Sequence, residues 1–285
     1  MTPRFIPLIL AALLGSAAAD EKATTAAPKA DPREIGIFGI GSCHIHGRSA
    51  KDNALWIPEM REIDLRYYRT AHTHWHSLEA QKGQWKWDAL DEQMAWLDER
   101  GVIYGGLLIG NPKWTGSSGL PSKSLPEWSN YVETVVTHCR DHIKRWEVWN
   151  EPPNFTAKGQ TPADYAQVVR AAYVAAKKAD PDCLVGLAAK SNHLAYLAQT
   201  IEAGAKDHFD YITLHPYELL NGVADNKGTE PLFLNIVPTL RKMLADKNPA
   251  KKDVPLIFTE LGISSEVGVE KQAHGLVKAW ALSLA

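Results

Sequence analysis

The stretch KRWEVWNEPPNF places an amide and a carboxyl group, Asn150 and Glu151, directly before two prolines. Apolar and polar residues alternate over residues 143–149, and this alternation predicts a β-strand. Pro152 has no backbone N–H to donate to a neighbouring strand, so the strand is expected to end here. A second carboxyl group, Glu260, lies within another apolar run, PLIFTEL. The sequence therefore predicts carboxyl groups at the ends of two strands.

Two carboxyl groups that flank one bond can act as an acid and base pair. One group holds a proton near neutral pH and delivers it to a leaving oxygen, while the other is ionised and attacks carbon or activates water. Glycoside hydrolysis uses such a pair. Proximity itself separates the two pKa values, because a second negative charge nearby is unfavourable. A lone glutamate is usually a solvated surface residue, so the prediction depends on both strands ending at one edge.

Short apolar or alternating runs predict strands, and segments with helical spacing separate them. The predicted strands are residues 35–40, 65–70, 102–109, 143–149, 183–189, 211–217 and 255–261. The main predicted helices are residues 87–101, 162–180, 194–208 and 232–248. Thr161 and Pro162 have the residue types of an N-cap and a first helical position. Strands that alternate with helices predict a parallel sheet, because a parallel connection needs a crossover.

An open doubly wound sheet and a closed (β/α)8 barrel both fit this alternation. The glycines of GIFGIGSCH lead into Cys and His rather than into a helix, so the first strand lacks a dinucleotide-binding turn. Polar and aromatic residues instead follow nearly every strand, which is the arrangement of a barrel site. They are His44, His46, His72, Asn111, Asn150, Glu151, Lys190, His215, Tyr217 and Glu260. We predict an α/β fold of the (β/α)8 TIM-barrel type over residues 33–285, either C-terminally truncated before the eighth strand or closed in an unusual way.

The N-terminal residues 1–19 have the layout of a secretory signal peptide. Arg4 precedes an apolar run that ends in three alanines at Ala19. The run is shorter than the roughly 20 residues that span a bilayer. Residues 20–32 are rich in Ala, Thr, Lys and Pro and predict a flexible leader. We expect a secreted or periplasmic protein without a membrane span in the mature chain, with a retained membrane anchor as the alternative.

Charge and cysteine content exclude several classes of function. The net charge is −2 and the basic residues are dispersed, so the chain lacks the positive patch of a nucleic-acid-binding protein. Cys43, Cys139 and Cys183 are widely spaced, which excludes a CxxC metal site or a disulfide framework. At least two of them are expected to be small buried residues, and one disulfide remains open.

Several segments resemble clan A glycoside hydrolases, which are retaining enzymes on (β/α)8 barrels. WNEPPN resembles the Asn-Glu-Pro signature of the clan, ITLHPY its sixth strand, and IFTELG its nucleophile strand. HWHSLEAQKGQWKWDALDEQMAWLDERGV is similar to the segment that leads into strand three. The resemblance extends from Ile35 to the C-terminus and is closest to family 39, the xylosidases and their relatives. It implies hydrolysis of an oligo- or polysaccharide, without a cofactor or a metal ion.

The resemblance also implies roles for individual residues. Glu151 is expected to be the acid/base and Glu260 the nucleophile. Asn150 is expected to hydrogen-bond the sugar 2-hydroxyl, an interaction that strengthens in the transition state. Tyr217 matches a clan tyrosine near the nucleophile, and His215 lies on the same strand end as a further substrate-binding candidate.

Two arginines and three tryptophans complete the candidates for the site. Arg66 and Arg69 alternate on the second strand, where the clan often places an arginine that keeps the nucleophile ionised, and we favour Arg69. Trp75, Trp114 and Trp149 follow strands, and flat rings suit the apolar faces of sugars. Trp114 is the first choice for a sugar-binding platform.

SCHIHG supports a rival hypothesis, because His44 and His46 would lie on one side of an extended segment and could bind one metal ion. In a metal-dependent amidohydrolase barrel, Lys190 and His215 would supply further ligands. This alternative leaves Glu260 without a role, so we expect His44 or His46 to contact the sugar or to pack, and we favour His44 as the sugar contact. A carbohydrate-binding barrel without catalysis is the third alternative.

Overall fold

The computed structural model describes residues 39–41, 62, 66–191 and 193–285. Within these residues, seven parallel strands form one sheet in the order of the chain. They are β1 (Gly39–Gly41), β2 (Tyr67–Thr70), β3 (Ile103–Leu108), β4 (Ile143–Val148), β5 (Leu184–Ala188), β6 (Tyr211–Leu214) and β7 (Leu256–Phe258). The predicted parallel sheet is therefore confirmed. The predicted signal peptide and leader, together with Cys43, His44 and His46, lie outside the described residues.

Helices connect the strands and cover the outside of the sheet. They are α1 (Trp75–Leu78), α2 (Asp88–Asp98), α3 (Leu125–Cys139), α4 (Pro162–Ala179), α5 (Leu194–Thr200), α6 (Tyr217–Ala224), α7 (Glu230–Leu234), α8 (Ile236–Lys247) and α9 (Val269–Leu284). A π-helical turn, Ile201–Ala205, continues α5, and short 3₁₀ turns cover Lys113–Thr115, Pro249–Lys251 and Ser265–Val267. In the described part of the chain, none of the helices combines the length and hydropathy needed to cross a bilayer.

Local sequence signals account for where some helices begin and break. Thr161 caps α4 as predicted, and its backbone N–H donates to Asp164 Oδ2 at 2.8 Å in a capping box. The helix predicted over residues 232–248 is instead two helices that meet at Asn235. Pro238 explains this break, because it has no N–H to donate to the carbonyl group one turn earlier and is tolerated only near a helix start.

The sheet curls, so that its first and last strands approach each other at their C-terminal ends. A Cβ atom at Gly41 of β1 would lie only 3.0 Å from the carbonyl oxygen of Thr259, directly after β7. Glycine is therefore required for this close approach. The curled parallel sheet with outer helices has the TIM-barrel type of architecture that the sequence predicts.

Alternate residues of the even-numbered strands meet inside this curled sheet. They are Tyr67 and Arg69 of β2, Arg145 and Glu147 of β4, and Tyr211 and Thr213 of β6. Two glycines of the intervening strands leave room for the tyrosines. A Cβ atom added at Gly105 would lie 1.9 Å from the Tyr67 hydroxyl oxygen. One added at Gly186 would lie 2.5 Å from the Tyr211 ring. Burial raises the pKa of Tyr67 to about 12, so this phenol stays neutral.

The apolar layer lies between the sheet and the helices. Trp75 is fully buried and stacks on Tyr131 of α3, with the ring centroids 5.2 Å apart. Trp149 is also buried, at 3% exposure, and contacts the edge of Trp128. Neither ring offers a face to a sugar, so the sequence-based suggestion for Trp75 and Trp149 is wrong, and both belong to the core.

Two of the three cysteines are buried, as predicted. Cys139 and Cys183 each have a fully buried side chain and no disulfide partner among the described residues. Burial raises the pKa of the Cys183 thiol to about 12, so it stays protonated and unreactive at neutral pH. Both are therefore packing residues.

The tight space at Gly105 gives a first testable prediction. We expect Gly105→Ala to lower the free energy of unfolding by about 1–3 kcal/mol, because the added methyl group overlaps the Tyr67 side chain. Urea denaturation measures the change. Gly262→Ala is the matched control, since its nearest neighbour would be a Tyr217 ring carbon 3.9 Å away. Equal stability of the two variants would contradict the packing described for the barrel interior.

Candidate active site

Polar side chains from the ends of three strands meet at one edge of the sheet. Asn150 and Glu151 follow β4, His215 follows β6, and Glu260 follows β7. A carboxyl oxygen of Glu151, a carboxyl oxygen of Glu260 and a ring nitrogen of His215 all lie within 4.8 Å of one another. The structure thus brings together the two carboxyl groups that the sequence singles out.

The backbone after β4 is sharply bent and strained. The strand ends at Val148, one residue earlier than predicted, and both Trp149 (φ 70°) and Glu151 (φ 39°) are in the left-handed region. For non-glycine residues this conformation costs on the order of 1–3 kcal/mol each. Hydrogen bonds hold it: the Trp149 backbone N–H donates to Leu108 O at 2.8 Å, and its indole N–H donates to Phe155 O at 3.0 Å. The bend turns the amide and carboxyl side chains toward the barrel axis.

Arg69 of β2 binds three of the side chains at this edge. Its Nε–H and one Nη2–H donate to Glu147 at 2.6 and 3.1 Å, in a bidentate pair. Nη1–H donates to Glu260 Oε1 at 2.7 Å, and Nη2–H also donates to Asn150 Oδ1 at 2.9 Å. Arg69 is 3% exposed whereas Arg66 is exposed, so the arginine favoured from the sequence is the one inside the barrel.

Glu147 is a buried member of the site that the sequence analysis missed. It is 3% exposed, and its Oε1 also accepts from the Thr213 hydroxyl at 2.8 Å. The Thr259 hydroxyl lies 3.4 Å from the same oxygen. An available signal was the alternation of β4, which places residues 145 and 147 on one face, inside the barrel.

His215 lies beneath the two carboxyl groups. Its side chain is fully buried, with Nδ1 3.0 Å from Glu151 Oε1 and Nε2 3.0 Å from Thr259 Oγ1. Glu147 Oε1 is 3.8 Å from Nε2, and Glu260 Oε2 is 3.8 Å from Nδ1. Both ring nitrogens therefore contact protein groups, and this residue, predicted to bind substrate, supports Glu151 instead of facing the solvent.

Three further side chains surround the carboxyl pair. Tyr217, the first residue of α6, donates its hydroxyl to Glu260 Oε2 at 3.2 Å. Asn154 Nδ2–H donates to Glu151 Oε2 at 2.8 Å, and Lys190 Nζ–H donates to Asn154 Oδ1 at 3.1 Å. Tyr217 was predicted from the sequence. Asn154 was missed, whereas Lys190 was among the polar residues noted after the strands and was also considered as a metal ligand.

The hydrogen bond from His215 lowers the pKa of the Glu151 carboxyl below its ordinary value. Burial opposes this shift, while Asn154 and Lys190 reinforce it. Because the folded-state pKa is depressed, the stabilising contribution is present above the pKa of an unfolded glutamate, roughly 4.3, and is lost as the pH falls.

The remaining predicted residues lie elsewhere. The Trp114 indole N–H donates to Glu79 O at 2.8 Å, and Lys82 lies 5.3 Å from its ring centroid. Within the described residues, these contacts place Trp114 beside α1 and its following loop rather than in the carboxylate cluster. His44 falls outside the described residues, so its sugar contact stays a prediction.

The spacing of Glu151, His215 and Glu260 is also one that a divalent cation can use. The hydrogen bonds favour another interpretation, because each of the three side chains already has a protein partner of fitting polarity. Lys190, which the amidohydrolase alternative needs as a ligand, donates to Asn154. The arrangement suits proton transfer and nucleophilic attack.

The buried position of Arg69 gives a prediction for stability. We expect Arg69→Met to lower the free energy of unfolding by about 3–5 kcal/mol at neutral pH, because Glu147 and Glu260 lose their shared cation. This loss of unfolding free energy should become smaller as the pH is lowered to the range in which carboxyl groups gain protons. Protonation of Glu147 and Glu260 would remove the negative charge that Arg69 no longer compensates. Urea denaturation at several pH values measures both effects.

Arg100→Met is the control for this variant. Arg100 is at the surface, where it contacts Glu99 and the Trp96 ring, and its loss should cost about 1 kcal/mol or less. An Arg69→Met deficit that is equally small, or that does not depend on pH, would contradict the role of Arg69 as a shared counter-ion.

Comparison with known proteins shows similarity to glycoside hydrolases. The sequence pattern of Glycosyl hydrolase family 10 matches residues 69–189. Endo-1,4-beta-xylanase A from Phanerodontia chrysosporium is 26% identical over 148 residues, which are 46% of this chain and 36% of that protein. The chain thus spans little more than a third of that relative's length.

Solved structures of glycoside hydrolases share the fold. A family 39 glycoside hydrolase from Bacteroides cellulosilyticus WH2 matches 90% of this chain and 55% of its own, at 20% identity and a TM-score of 0.71. A family 39 β-xylosidase from Caulobacter crescentus matches 90% and 62%, at 21% identity and a TM-score of 0.62. Xylanase 10B from Thermotoga maritima matches 86% and 79%, at 18% identity and a TM-score of 0.59.

These similarities confirm the predicted fold class, a parallel α/β sheet of the TIM-barrel type. The predicted enzyme class, glycoside hydrolase, is the class of the matching family and of these proteins. The finer assignment to family 39 is not confirmed, because the sequence match is to family 10 whereas structural neighbours belong to both families.

Proposed function

We propose that this chain is a retaining glycoside hydrolase that cleaves O-glycosidic bonds by double displacement. The observation that carries the proposal is the approach of Glu151 and Glu260, whose carboxyl oxygens come within 4.8 Å. Retaining enzymes hold the two groups about 5–5.5 Å apart, whereas inverting enzymes need about 6.5–9.5 Å to admit a water molecule. The observed approach is nearer to the retaining spacing than to the inverting one, and this supports the proposal.

In the first step, Glu260 attacks the anomeric carbon and forms a covalent glycosyl-enzyme. Arg69 favours the ionised form of this nucleophile, because its Nη1–H contacts the attacking carboxylate at 2.7 Å. Glu151 transfers its proton to the glycosidic oxygen as the bond to the leaving group breaks. In the second step, Glu151 takes a proton from water, and the hydroxide oxygen displaces Glu260.

The orientation of Asn150 supports its proposed contact with the sugar 2-hydroxyl. Arg69 can only donate hydrogen bonds, so the oxygen of the Asn150 amide faces it. The amide nitrogen is then directed away from Arg69 and can donate to the substrate. This contact would strengthen as positive charge develops at the adjacent anomeric carbon.

We propose a xylan-type oligo- or polysaccharide as the first substrate class to test. The support is the similarity to proteins named xylanase and xylosidase. Trp114 remains a proposed platform for a sugar unit outside the carboxylate cluster, and His44 a proposed contact. Export to the periplasm or the medium remains a proposal based on residues 1–19.

Removal of the nucleophile tests the mechanism. We expect Glu260→Ala to lose hydrolysis of an activated aryl xyloside by several orders of magnitude. Azide should restore turnover and give a glycosyl azide of inverted anomeric configuration, because the small anion enters the space left by the carboxylate. Product configuration can be assigned by proton NMR.

The exposed Glu266, in the 3₁₀ turn after β7, provides the matched control, and Glu266→Ala should keep wild-type rates. Unchanged activity of Glu260→Ala would remove this residue from the mechanism. Release of an inverted sugar by the wild-type protein would overturn double displacement.

A further inference from the structure

We propose that Thr259 and Glu147 are positioning residues that keep one proton shared between Glu151 Oε1 and His215 Nδ1 before the substrate binds. The inference rests on the proposed function and deepens it. The four side chains form one continuous series of contacts from Glu147 through Thr259 and His215 to Glu151. The polarity of this series is fixed at both ends.

At one end, Lys190 fixes which oxygen of Glu151 can carry a proton. A lysine ammonium group only donates, so the oxygen of the Asn154 amide faces Lys190 at 3.1 Å. The amide nitrogen of Asn154 then donates to Glu151 Oε2 at 2.8 Å. Oε2 is thus an acceptor, and a proton on the Glu151 carboxyl group belongs on Oε1, which faces His215.

At the other end, Glu147 fixes the direction of the Thr259 hydroxyl. Both carboxyl oxygens of Glu147 accept N–H donors from Arg69, and Oε1 also accepts from Thr213, so Oε1 is an acceptor. The Thr259 hydroxyl proton therefore points to Glu147 Oε1, 3.4 Å away. Its oxygen is left to accept from His215 Nε2–H at 3.0 Å.

These two constraints meet at the contact between His215 and Glu151. With its proton on Nε2, a neutral imidazole presents the lone pair of Nδ1 to Glu151 Oε1 at 3.0 Å. This contact is a hydrogen bond only when one proton lies between the two atoms, on either Oε1 or Nδ1. An ionised Glu151 that faces the lone pair of His215 Nδ1 is unfavourable. These contacts therefore favour the state in which Glu151 and His215 share one proton.

The surrounding charges act on this pair from every side. Glu147 Oε1 lies 3.8 Å from Nε2 of His215, and Glu260 Oε2 lies 3.8 Å from Nδ1. Arg69 offsets part of their charge by contacting both of them. More distant groups are Tyr217 on Glu260, Lys190 through Asn154, and Glu218, which lies 3.6 Å from Lys190.

The proton balance follows the two proposed steps. When the glycosidic bond breaks, the shared proton passes from Glu151 Oε1 to the leaving oxygen, and Glu151 is left ionised beside His215. When water attacks the glycosyl-enzyme, one water proton returns to Glu151 and the hydroxide oxygen bonds to the anomeric carbon. His215 keeps its Nε2 proton throughout, so Thr259 and Glu147 act without touching the substrate.

Thr259→Val tests the proposal, because valine has the shape of threonine but neither donates nor accepts at this position. The basic limb of the pH profile of kcat/KM reports the loss of the acid proton. We expect this limb to move to lower pH by about one unit. A shift of that size corresponds to the free energy of losing about one hydrogen bond. The acid limb should stay in place, since Arg69 still contacts Glu260.

The choice of leaving group separates positioning from general damage. In Thr259→Val, kcat/KM for an alkyl xyloside or xylobiose should fall about tenfold, because the leaving oxygen of these substrates needs a proton from the acid. The loss on a dinitrophenyl xyloside, which departs without a proton, should be much smaller. A merely structural effect would lower both rates equally. Thr259→Ser retains the hydroxyl group and should restore the wild-type profile.

The outcomes distinguish this inference from the proposed function. Wild-type protein that cleaves both substrates, with a Thr259→Val basic limb that coincides with the wild-type limb, would overturn the inference alone. Wild-type protein that cleaves neither substrate would overturn both. Should Thr259→Val fail to fold, Thr259→Ala compared with Thr259→Ser gives the same test, and equal profiles for that pair would also overturn it. Glu147→Gln is unsuitable, because it also disturbs Arg69.

Discussion

The whole site depends on one buried guanidinium group. Arg69 is 3% exposed, and burial of an unpaired charge would carry a large desolvation free energy. Its partners come from β4 and from the segment after β7, so the ion pairs fix the relative positions of strands that are far apart in sequence. The buried charge of Arg69 requires negative partners, and Glu147 and Glu260 supply them. The same ion pair holds Glu260 in place.

The three carboxyl groups are distinguished by their partners. Glu147 and Glu260 both contact the permanent cation of Arg69. Glu151 pairs with His215, whose Nδ1 lies 3.0 Å from Glu151 Oε1. Glu260, the proposed nucleophile, thus lies beside a fixed cation, whereas Glu151, the proposed acid, lies beside an imidazole ring.

Much of the fold was predictable because it depends on short-range pattern. Apolar and polar alternation, together with the Gly and Pro residues that end segments, located the strands to within a few residues. The intervening helices predicted the parallel order of the strands. The two glutamates could be paired from the sequence because both follow strands. Glu147 could not be recognised in this way, since a glutamate within an alternating strand usually faces water. In this barrel the alternation separates a charged interior from an apolar layer, and β4 is almost entirely buried on both faces.

Other features depend on contacts that sequence pattern does not contain. The left-handed backbone of Trp149 and Glu151 is held by hydrogen bonds to β3 and to the following loop, so neither residue type predicts it. Trp75 and Trp114 lie in similar local sequence, after strands and near polar residues, yet one is in the core and the other is partly exposed. Tertiary packing alone separates these two cases.

The location of the apolar core explains how the chain tolerates so many charges at the centre of its sheet. Large buried side chains such as Trp75, Trp128 and Tyr131 lie between the sheet and the helices, where they remove most apolar surface from water. The inside of the curled sheet contributes little apolar burial and can hold Arg69, Glu147 and the tyrosines. Stability therefore comes mainly from the outer layer, and this layer also holds the strained turn after β4, because Trp149 of the turn packs against Trp128.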